Sequence, residues 1–423
     1  MILTAEELTT PTELCRLTEK WGSDKGRENI TMWKHNYTVV YTKLFAGLRD
    51  KPLRIFELGL GTNNVYLAST MAGNGVPGAS LRAWEEYFPA AAVFGADIDR
   101  DILFAEGRVK TYFCDQTSPD AIRTLWSEGD LSEGFDIIVE DGLHTFDANV
   151  CFFENSVNKL RAGGIYIIED ITRPDLPRFE EKLVAWRRQF PGFTFELIDI
   201  PCTVNDYDNI ILVITRHVDL DKEAAARYVI EHGVEGVLVE CGVATGNTPA
   251  AWITELVSLG AEREIHMYDT FTGLTEPSEH DYTCADGPWQ MSNEEVVNYW
   301  RAQKINTTTN NWCYTPLEVV QNRLAAFGYG KLEYIVGDVM QTLADDANIP
   351  KKIAVLRLDT DWYESTAFEL ERLYEKVVVG GLIIFDDYYL WAGQRKAADE
   401  FFKRVGIVPR CMRVNEQTMV MIK

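Results

Sequence analysis

Short runs of β-branched and aromatic residues alternate with longer, mixed segments along the whole chain. Runs such as 165–168 and 382–385 have the length of buried strands. This alternation predicts open, mostly parallel sheets with helices on both faces. Each half closes with a further apolar run, DNIILVIT and QTMVMIK, which we expect to add a final antiparallel hairpin strand. The predicted helices include residues 119–127, 147–161, 316–327 and 364–378.

The second half of the chain repeats the features of the first half in the same order. An apolar run leads into ELGLG at 57–61 and into ECGVA at 240–244. The offsets between later matched positions are nearly constant, because Asp141 and Asp359 lie 218 residues apart and Asp170 and Asp387 lie 217 apart. The α/β pattern therefore predicts two Rossmann-like, doubly wound domains in tandem, residues 1–217 and 218–423.

The second half differs from the first by an insertion. Asp97 and Asp115 are 18 residues apart, whereas their counterparts Asp269 and Asp338 are 69 residues apart. We predict that the extra residues, about 271–315, form a lid. Its tryptophans, at positions 289, 300 and 312, serve either packing or stacking on a sugar, and the sequence leaves both readings open.

The loops after the first two strands of each half predict the ligand. In an open parallel sheet, the ligand binds beyond the carboxyl ends of the strands. The first loop is Glu-x-Gly-x-Gly or a shortened form, which lacks the phosphate-binding pattern Gly-x-Gly-x-x-Gly. S-adenosylmethionine fits, since it has no phosphate, offers ribose hydroxyls to an acid and carries an ammonium group. We expect one molecule per domain, with Asp97 and Asp269 on the ribose. The full predicted cofactor set is Glu57, Gly59, Gly61, Asp97, Asp115, Gln116, Glu240, Gly242, Asp269, Gly337 and Asp338.

Carboxylates gather where the later strands of each half end. Converging carboxylates need a cation, and oxygen ligands without cysteine suit Mg²⁺, with Mn²⁺ and Ca²⁺ as alternatives. We expect one ion per domain, able to bind and acidify a substrate hydroxyl for O-methylation. His144 is the predicted base in the first half, and Asp359 or Asp361 in the second. The predicted metal ligands are Asp141, Glu169 and Asp170 in the first half, and Asp359, Asp386 and Asp387 in the second.

Composition and charge exclude several partners. The chain has 41 Lys and Arg residues against 65 Asp and Glu residues, a net charge of −24, which disfavours nucleic acids and anionic membranes. The start of the sequence leads us to expect no signal peptide, the apolar runs are shorter than a membrane span, and the eight cysteines show no zinc spacing. These features favour a cytoplasmic protein with a small-molecule substrate. The sequence leaves open whether the protein forms a homo-oligomer.

Two families share long motifs with the chain. From about 237 to 402 it resembles the macrocin O-methyltransferase family, through VECGV, MYDTFTGL, VLRLDTDWYEST and LYEKVVVGGLIIFDDYYLW. From about 21 to 170 it resembles enzymes of the mycinamicin VI 2''-O-methyltransferase type, through GSDKG, HNYTVVY, IFELGLG, GADID, EDGLH and GGIYIIED. The resemblance implies class I methyltransferase domains, the metal ligands and bases named above, and sugar hydroxyls of glycosylated natural products as acceptors.

The sequence thus predicts a bifunctional, metal-dependent O-methyltransferase that acts on a glycan or a glycosylated natural product. Two alternatives stay open. One half could be a non-catalytic binding or dimerisation module, although no predicted metal ligand is missing from either half. The acceptor could instead be a catechol or another phenol, because vicinal aromatic oxygens also chelate Mg²⁺.

Overall fold

The computed structural model of the protein describes residues 5–26, 35–202, 204–285, 287, 289–407, 409 and 411–423. The chain divides into two compact units, residues 1–217 and 218–423, here called unit 1 and unit 2. Among the described residues, no helix has the length and apolar character needed to cross a bilayer.

Unit 1 is built on one eight-stranded sheet. Its strands are β1 Arg54–Leu58, β2 Ala92–Asp97, β3 Ala105–Glu106, β4 Val109–Phe113, β5 Phe135–Glu140, β6 Leu160–Ile168, β7 Phe193–Asp199 and β8 Ile210–Arg216. Its helices are α1 Ala5–Thr9, α2 Glu13–Trp21, α3 Thr38–Leu44, α4 Ala79–Tyr87, α5 Pro119–Leu125, α6 Phe146–Ser156 and α7 Leu176–Gln189. The sheet order is β3-β4-β2-β1-β5-β6-β8-β7, and β8 pairs antiparallel with both β6 and β7.

Unit 2 repeats this plan with seven strands. They are β9 Val237–Cys241, β10 Ile265–Asp269, β11 Leu332–Val336, β12 Ile353–Leu358, β13 Val377–Phe385, β14 Met412–Arg413 and β15 Met419–Ile422, in the order β11-β10-β9-β12-β13-β15-β14. The helices are α8 Lys222–Glu231, α9 Asn247–Ser258, α10 Asn293–Ala302, α11 Leu317–Ala325, α12 Val339–Thr342, α13 Tyr363–Leu373 and α14 Ala392–Val405. The predicted fold, two mostly parallel doubly wound sheets that each end in antiparallel strands, is confirmed.

Helices cover both faces of each sheet. In unit 1, α5–α7 supply one buried cluster, which includes Phe153 and Trp186, and α2–α4 supply another, which includes Trp84 and Phe88. Unit 2 also has a core on each face of its sheet. This packing leaves the carboxyl ends of the central strands open in each sheet.

Two predicted helix ends are wrong. The segments predicted as helices 147–161 and 364–378 leave the α-helix at Ser156 and Leu373, turn once, and become strands. Leu160 pairs with Phe135 and Val377 pairs with Ile353, so these residues are buried in the sheet. Strand pairing across the sheet therefore overrides the local helical pattern.

Candidate active sites

Unit 1 has an open cleft at the carboxyl ends of its central strands, with about 990 Å³ of empty space when the open solvent at its mouth is included. The cleft brings together residues that are far apart in the sequence, from the loops after β1, β2, β4 and β5. Residues 22–25 also line it. Seven predicted site residues are among those that line the cleft: Gly59, Gly61, Asp97, Asp115, Gln116, Asp141 and His144.

The first glycine of each glycine-rich loop allows a close backbone approach. Gly59 has φ of +92°, and a Cβ there would lie 1.8 Å from the carbonyl oxygen of Asp141. Gly242 has φ of +87°, and its Cβ would lie 2.0 Å from the carbonyl oxygen of Asp359. Only glycine fits both conditions. Each loop therefore lies directly against the backbone of a predicted metal ligand, Asp141 in unit 1 and Asp359 in unit 2.

The predicted ribose acids also hold the loops. Asp97 accepts hydrogen bonds from the backbone N–H of Leu60 at 2.7 Å and of Asp99 at 2.8 Å. Asp269 accepts from Val243 N–H at 2.6 Å and Ala244 N–H at 3.0 Å. Both acids line their clefts, so each carboxylate connects the first loop to the place where we expect the ribose.

The cofactor residues predicted after the third strand of each half are placed differently. The Gln116 amide donates to Glu140 at 2.9 Å and accepts from Leu143 N–H at 2.6 Å. It therefore anchors the loop that carries His144. Asp115 accepts from Thr117 N–H at 2.9 Å, and Asp338 accepts from Met340 N–H at 2.9 Å as the cap of α12. Asp115, Gly337 and Asp338 still line the clefts.

The structure does not place Glu57 and Glu240 among the cleft-lining residues. Both are buried, at 0% and 1% exposure. Glu57 accepts from the Trp84 indole N–H at 2.5 Å and lies 3.3 Å from Lys25 Nζ. Glu240 accepts from Arg357 at 2.7 Å. These two carboxylates lie next to buried basic groups in the interior of their units.

The acidic cluster of unit 1 consists of Asp141, His144 and Asp170. One ligand atom from each of these residues lies within 4.8 Å of the other two. His144 Nε2 is 3.1 Å from Asp141 Oδ1 and 3.3 Å from Asp170 Oδ2. The Tyr37 hydroxyl donates to Asp170 at 2.5 Å. The third predicted ligand, Glu169, instead contacts Lys25 and Tyr41, so the structure brings two of the three predicted ligands together with the predicted base.

The protonation of His144 follows from its neighbours. Burial alone would lower the pKa of His144, but the carboxylates of Asp170 and Asp141 outweigh burial and raise this pKa to about 10. His144 also has φ of +58°, a conformation that only a closely supported loop holds in place.

The acidic cluster of unit 2 has the same place in its sheet but no histidine. Asp359, Asp361 and Asp387 each offer an oxygen within 4.8 Å of the other two. Burial, together with the charge of Asp359, raises the pKa of Asp361 to about 7. The remaining predicted ligand, Asp386, forms an ion pair of 2.6 Å with Arg357. Unit 2 therefore also assembles two of its three predicted ligands, together with Asp361.

The insertion of unit 2 borders a cleft with about 650 Å³ of empty space when the open solvent at its mouth is included. Gly273, Leu274, Thr275 and Cys313 line this cleft beside Asp269 and Asp359. The insertion is tied to the rest of the unit, because buried Asp281 accepts from Tyr363 N–H at 2.8 Å and the Trp362 indole donates to Thr275 O at 2.9 Å.

The three tryptophans of the insertion have different surroundings. Trp300 is 5% exposed and donates to Leu274 O at 2.8 Å, so it serves packing. Trp312 packs against Trp362 and Trp391, with ring centroids 5.6 Å and 6.1 Å apart. Trp289 is 43% exposed and also packs against Trp391, with ring centroids 5.6 Å apart, and stacking on a sugar remains a prediction for this residue.

Each unit has one basic residue that was not predicted as part of its site but contacts the carboxylates there. Lys25 and Arg357 are buried among the carboxylates described above. A sequence signal exists for Arg357, since it is the one charged residue in the apolar run IAVLRL, and a buried charge needs a partner. Lys25 stands in a glycine-flanked turn, where a lysine is usually exposed, so the sequence gives no comparable signal for it.

The fold and the clusters define a class of α/β protein with an acidic cluster beside a glycine-rich loop in each unit. Residues 213–422 match the sequence model of the family described as macrocin-O-methyltransferase (TylF). The C-terminal half of the chain is therefore similar to the macrocin-O-methyltransferase family.

Relatives with named activities match parts of the chain. It is 33% identical over 187 residues to 8-demethyl-8-alpha-L-rhamnosyl tetracenomycin-C 2'-O-methyltransferase from Streptomyces olivaceus. The matched region covers 44% of this chain and 45% of that protein. It is 34% identical over 173 residues to L-olivosyl-oleandolide 3-O-methyltransferase from Streptomyces antibioticus, which covers 40% of each. The chain thus spans less than half the length of these two relatives.

Among solved structures, the chain is similar to the MycE methyltransferase from the mycinamycin biosynthetic pathway in complex with Mg and SAH. The sequence identity is 21% and the TM-score is 0.37, over 49% of this chain and 56% of that chain.

Proposed function

We propose that the protein is a bifunctional O-methyltransferase that uses S-adenosylmethionine and a divalent metal, with one cofactor and one ion per unit. Its acceptors would be hydroxyl groups on the sugar of a glycosylated natural product. The sugar class is inferred from the relatives, whose names specify methylation of rhamnosyl and olivosyl groups. The match of residues 213–422 to the macrocin-O-methyltransferase family supports the reaction type.

One observation carries the proposal: each unit collects its glycine-rich loop, its ribose acid and its acidic cluster around one cleft. In unit 1 these are Gly59, Asp97 and Asp141, and all three line the cleft. In unit 2, Gly242, Asp269 and Asp359 do the same. Two such assemblies support two reactions better than one reaction and a silent half.

The ligand sets fit a hard divalent cation. Asp141 and Asp170 in unit 1, and Asp359 and Asp387 in unit 2, offer carboxylate oxygens at distances that one ion can bridge, and His144 and Asp361 lie beside them as the bases. Bound there, the cation would acidify the acceptor hydroxyl and orient it toward the methyl group.

The bases follow from the protonation of each cluster. His144 is held protonated by two carboxylates, so it can accept a proton only once the charge of Asp141 and Asp170 is neutralised. In unit 2, Asp361 lies beside Asp359, and its pKa of about 7 suits a group that takes up a proton near neutral pH.

Methyl transfer tests the proposal directly. The full chain with Mg²⁺ and S-adenosylmethionine labelled in the methyl group is offered rhamnosylated or olivosylated acceptors, and a catechol as the alternative. We expect two methyl groups per sugar acceptor, and one each for Asp141→Asn and Asp359→Asn. Methylation of catechol alone would contradict the sugar assignment, and a single methyl group lost in only one variant would contradict bifunctionality.

A further inference from the structure

A buried lysine joins three carboxylates in unit 1. Lys25 Nζ lies 3.3 Å from Glu57 Oε1 and 2.5 Å from Asp141 Oδ2, and it also contacts Glu169 Oε2. Its side chain is 2% exposed. The three acids come from β1 and from the ends of β5 and β6, so one ammonium group connects three neighbouring strands.

A buried arginine makes the same three connections in unit 2. Arg357 Nη1 lies 2.7 Å from Glu240 Oε1 and 2.5 Å from Asp359 Oδ2, and Nη2 lies 2.6 Å from Asp386 Oδ1. The arginine side chain is 5% exposed. Glu240, Asp359 and Asp386 are the counterparts of Glu57, Asp141 and Glu169 in the repeated plan.

The two cations come from different places in the fold. Arg357 is part of β12 and pairs with Glu240, whereas the β5 residue that pairs with Glu57 is Val139. Unit 1 therefore has an apolar residue where unit 2 has the arginine, and takes its cation from the loop after α2. Since both units neutralise the same three acids by different routes, the positive charge itself is what this place in the fold requires.

We propose that Lys25 and Arg357 are tethered counter-ions that compete with the divalent metal for the carboxylates. Asp141 in unit 1 and Asp359 in unit 2 belong to the proposed metal sites and also contact the tethered cation. Glu169 and Asp386 contact the cation but lie outside the two acidic clusters. The cation stabilises these acids before a metal arrives, and its repulsion of the incoming ion lowers metal affinity. This inference rests on the metal site of the proposed function.

Titration of Mn²⁺ alone into the full chain tests the competition. Calorimetry compares wild type with Lys25→Met and Arg357→Met, and with Lys20→Met and Lys352→Met as controls. The control lysines form exposed ion pairs with Glu86 and Glu235. We expect two Mn²⁺ sites in wild type. Each buried-cation variant should bind Mn²⁺ about tenfold or more tightly at one site, a different one for each variant, and the controls should not change.

Thermal melting supplies a second measurement. Without metal, Lys25→Met and Arg357→Met should melt below wild type, and Mn²⁺ should raise their melting temperatures more than that of wild type. If a variant is unfolded without metal, recovery of the fold on adding Mn²⁺ supports the competition and failure to recover contradicts it.

The outcomes separate this inference from the proposed function. Two Mn²⁺ sites in wild type, with unchanged or weaker binding in the folded variants, would overturn the tethered counter-ions and leave the metal sites standing. Absence of Mn²⁺ binding in wild type would overturn both.

Discussion

Gly59 and Gly242 are the residues where the smallest change should have the largest effect on a cleft. Alanine at either position would place Cβ within about 2 Å of a carbonyl oxygen, at a φ that L-residues rarely adopt. We expect Gly59→Ala to weaken S-adenosylhomocysteine binding in unit 1 by about tenfold or more, and Gly242→Ala to do the same in unit 2, both measured by calorimetry.

Gly260 provides the matched control for these substitutions. Its φ is +62°, and a Cβ there would meet no atom within 4 Å. Gly260→Ala should therefore cost about 1 kcal/mol of stability from backbone strain and leave both binding sites intact. Equal effects of the three substitutions on binding would contradict the close approach between loop and strand end.

Glu369 makes unit 2 sensitive to pH. This carboxyl group is fully buried beside Thr360 and Cys241, and burial raises its pKa to about 8 from an ordinary value of 4.5. Because the folded pKa is the higher one, the group contributes stability that is fully present below pH 4.5 and is lost as the pH rises to about 8. The loss reaches at most about 1.4 kcal/mol per pH unit.

Glu369→Gln tests this expectation, since glutamine resembles the protonated acid. The melting temperature of Glu369→Gln should rise relative to wild type between pH 5 and pH 8. Glu364→Gln, an exposed position on the same helix, should follow wild type at every pH. Parallel pH profiles of wild type and Glu369→Gln would show that this carboxyl group is already ionised in the folded chain.

The sequence predicted the acidic residues of the clefts better than the residues that contact them. Asp97, Asp141, Asp269 and Asp359 all line clefts, because the ends of parallel strands must meet at one edge of a sheet. The sequence could not show that Glu169 contacts Lys25, since that lysine reaches the site from a loop 144 residues away along the chain.

The insertion of unit 2 depends on one buried acid at its base. Asp281 is 0% exposed, accepts from Ser278 N–H at 2.6 Å, and accepts from Tyr363 N–H at the start of α13. Asp281→Ala would leave two part-buried backbone N–H groups without their acceptor, at a cost of about 1 kcal/mol. We expect a lower melting temperature, faster proteolysis within 271–315 and weaker S-adenosylhomocysteine binding in unit 2 alone.

Exposed Glu279 lies in the same segment and supplies the control. Glu279→Ala should behave as wild type in all three measurements. If Asp281→Ala did so too, the insertion would be held by its tryptophan contacts instead.

Periodicity predicted which elements exist better than where they end. Helices α6 and α13 end about five residues early because Leu160 and Val377 already belong to strands. Strand β7, Phe193–Asp199, was not predicted, although its partner β8 was. Its sequence FTFELID alternates only loosely, and its pairing with β8 depends on contacts distant in sequence.

The prediction of two similar domains in the whole molecule rests on the internal repeat. Near-constant offsets between two sets of acids predicted two sheets of the same plan, and the two sheets share their central strand order. Repetition also reveals which features each site requires, because it shows one carboxylate arrangement with two different cations, Lys25 and Arg357.

The most direct test of a cofactor site in each unit is the number of S-adenosylhomocysteine molecules that the full chain binds. Calorimetric titration of S-adenosylhomocysteine, with Mg²⁺ present, compares wild type with Asp97→Ala and Asp269→Ala. We predict two equivalents for wild type and one for each variant, so that the retained site shows that each variant is folded. A single equivalent in wild type, abolished by only one of the two substitutions, would contradict the account.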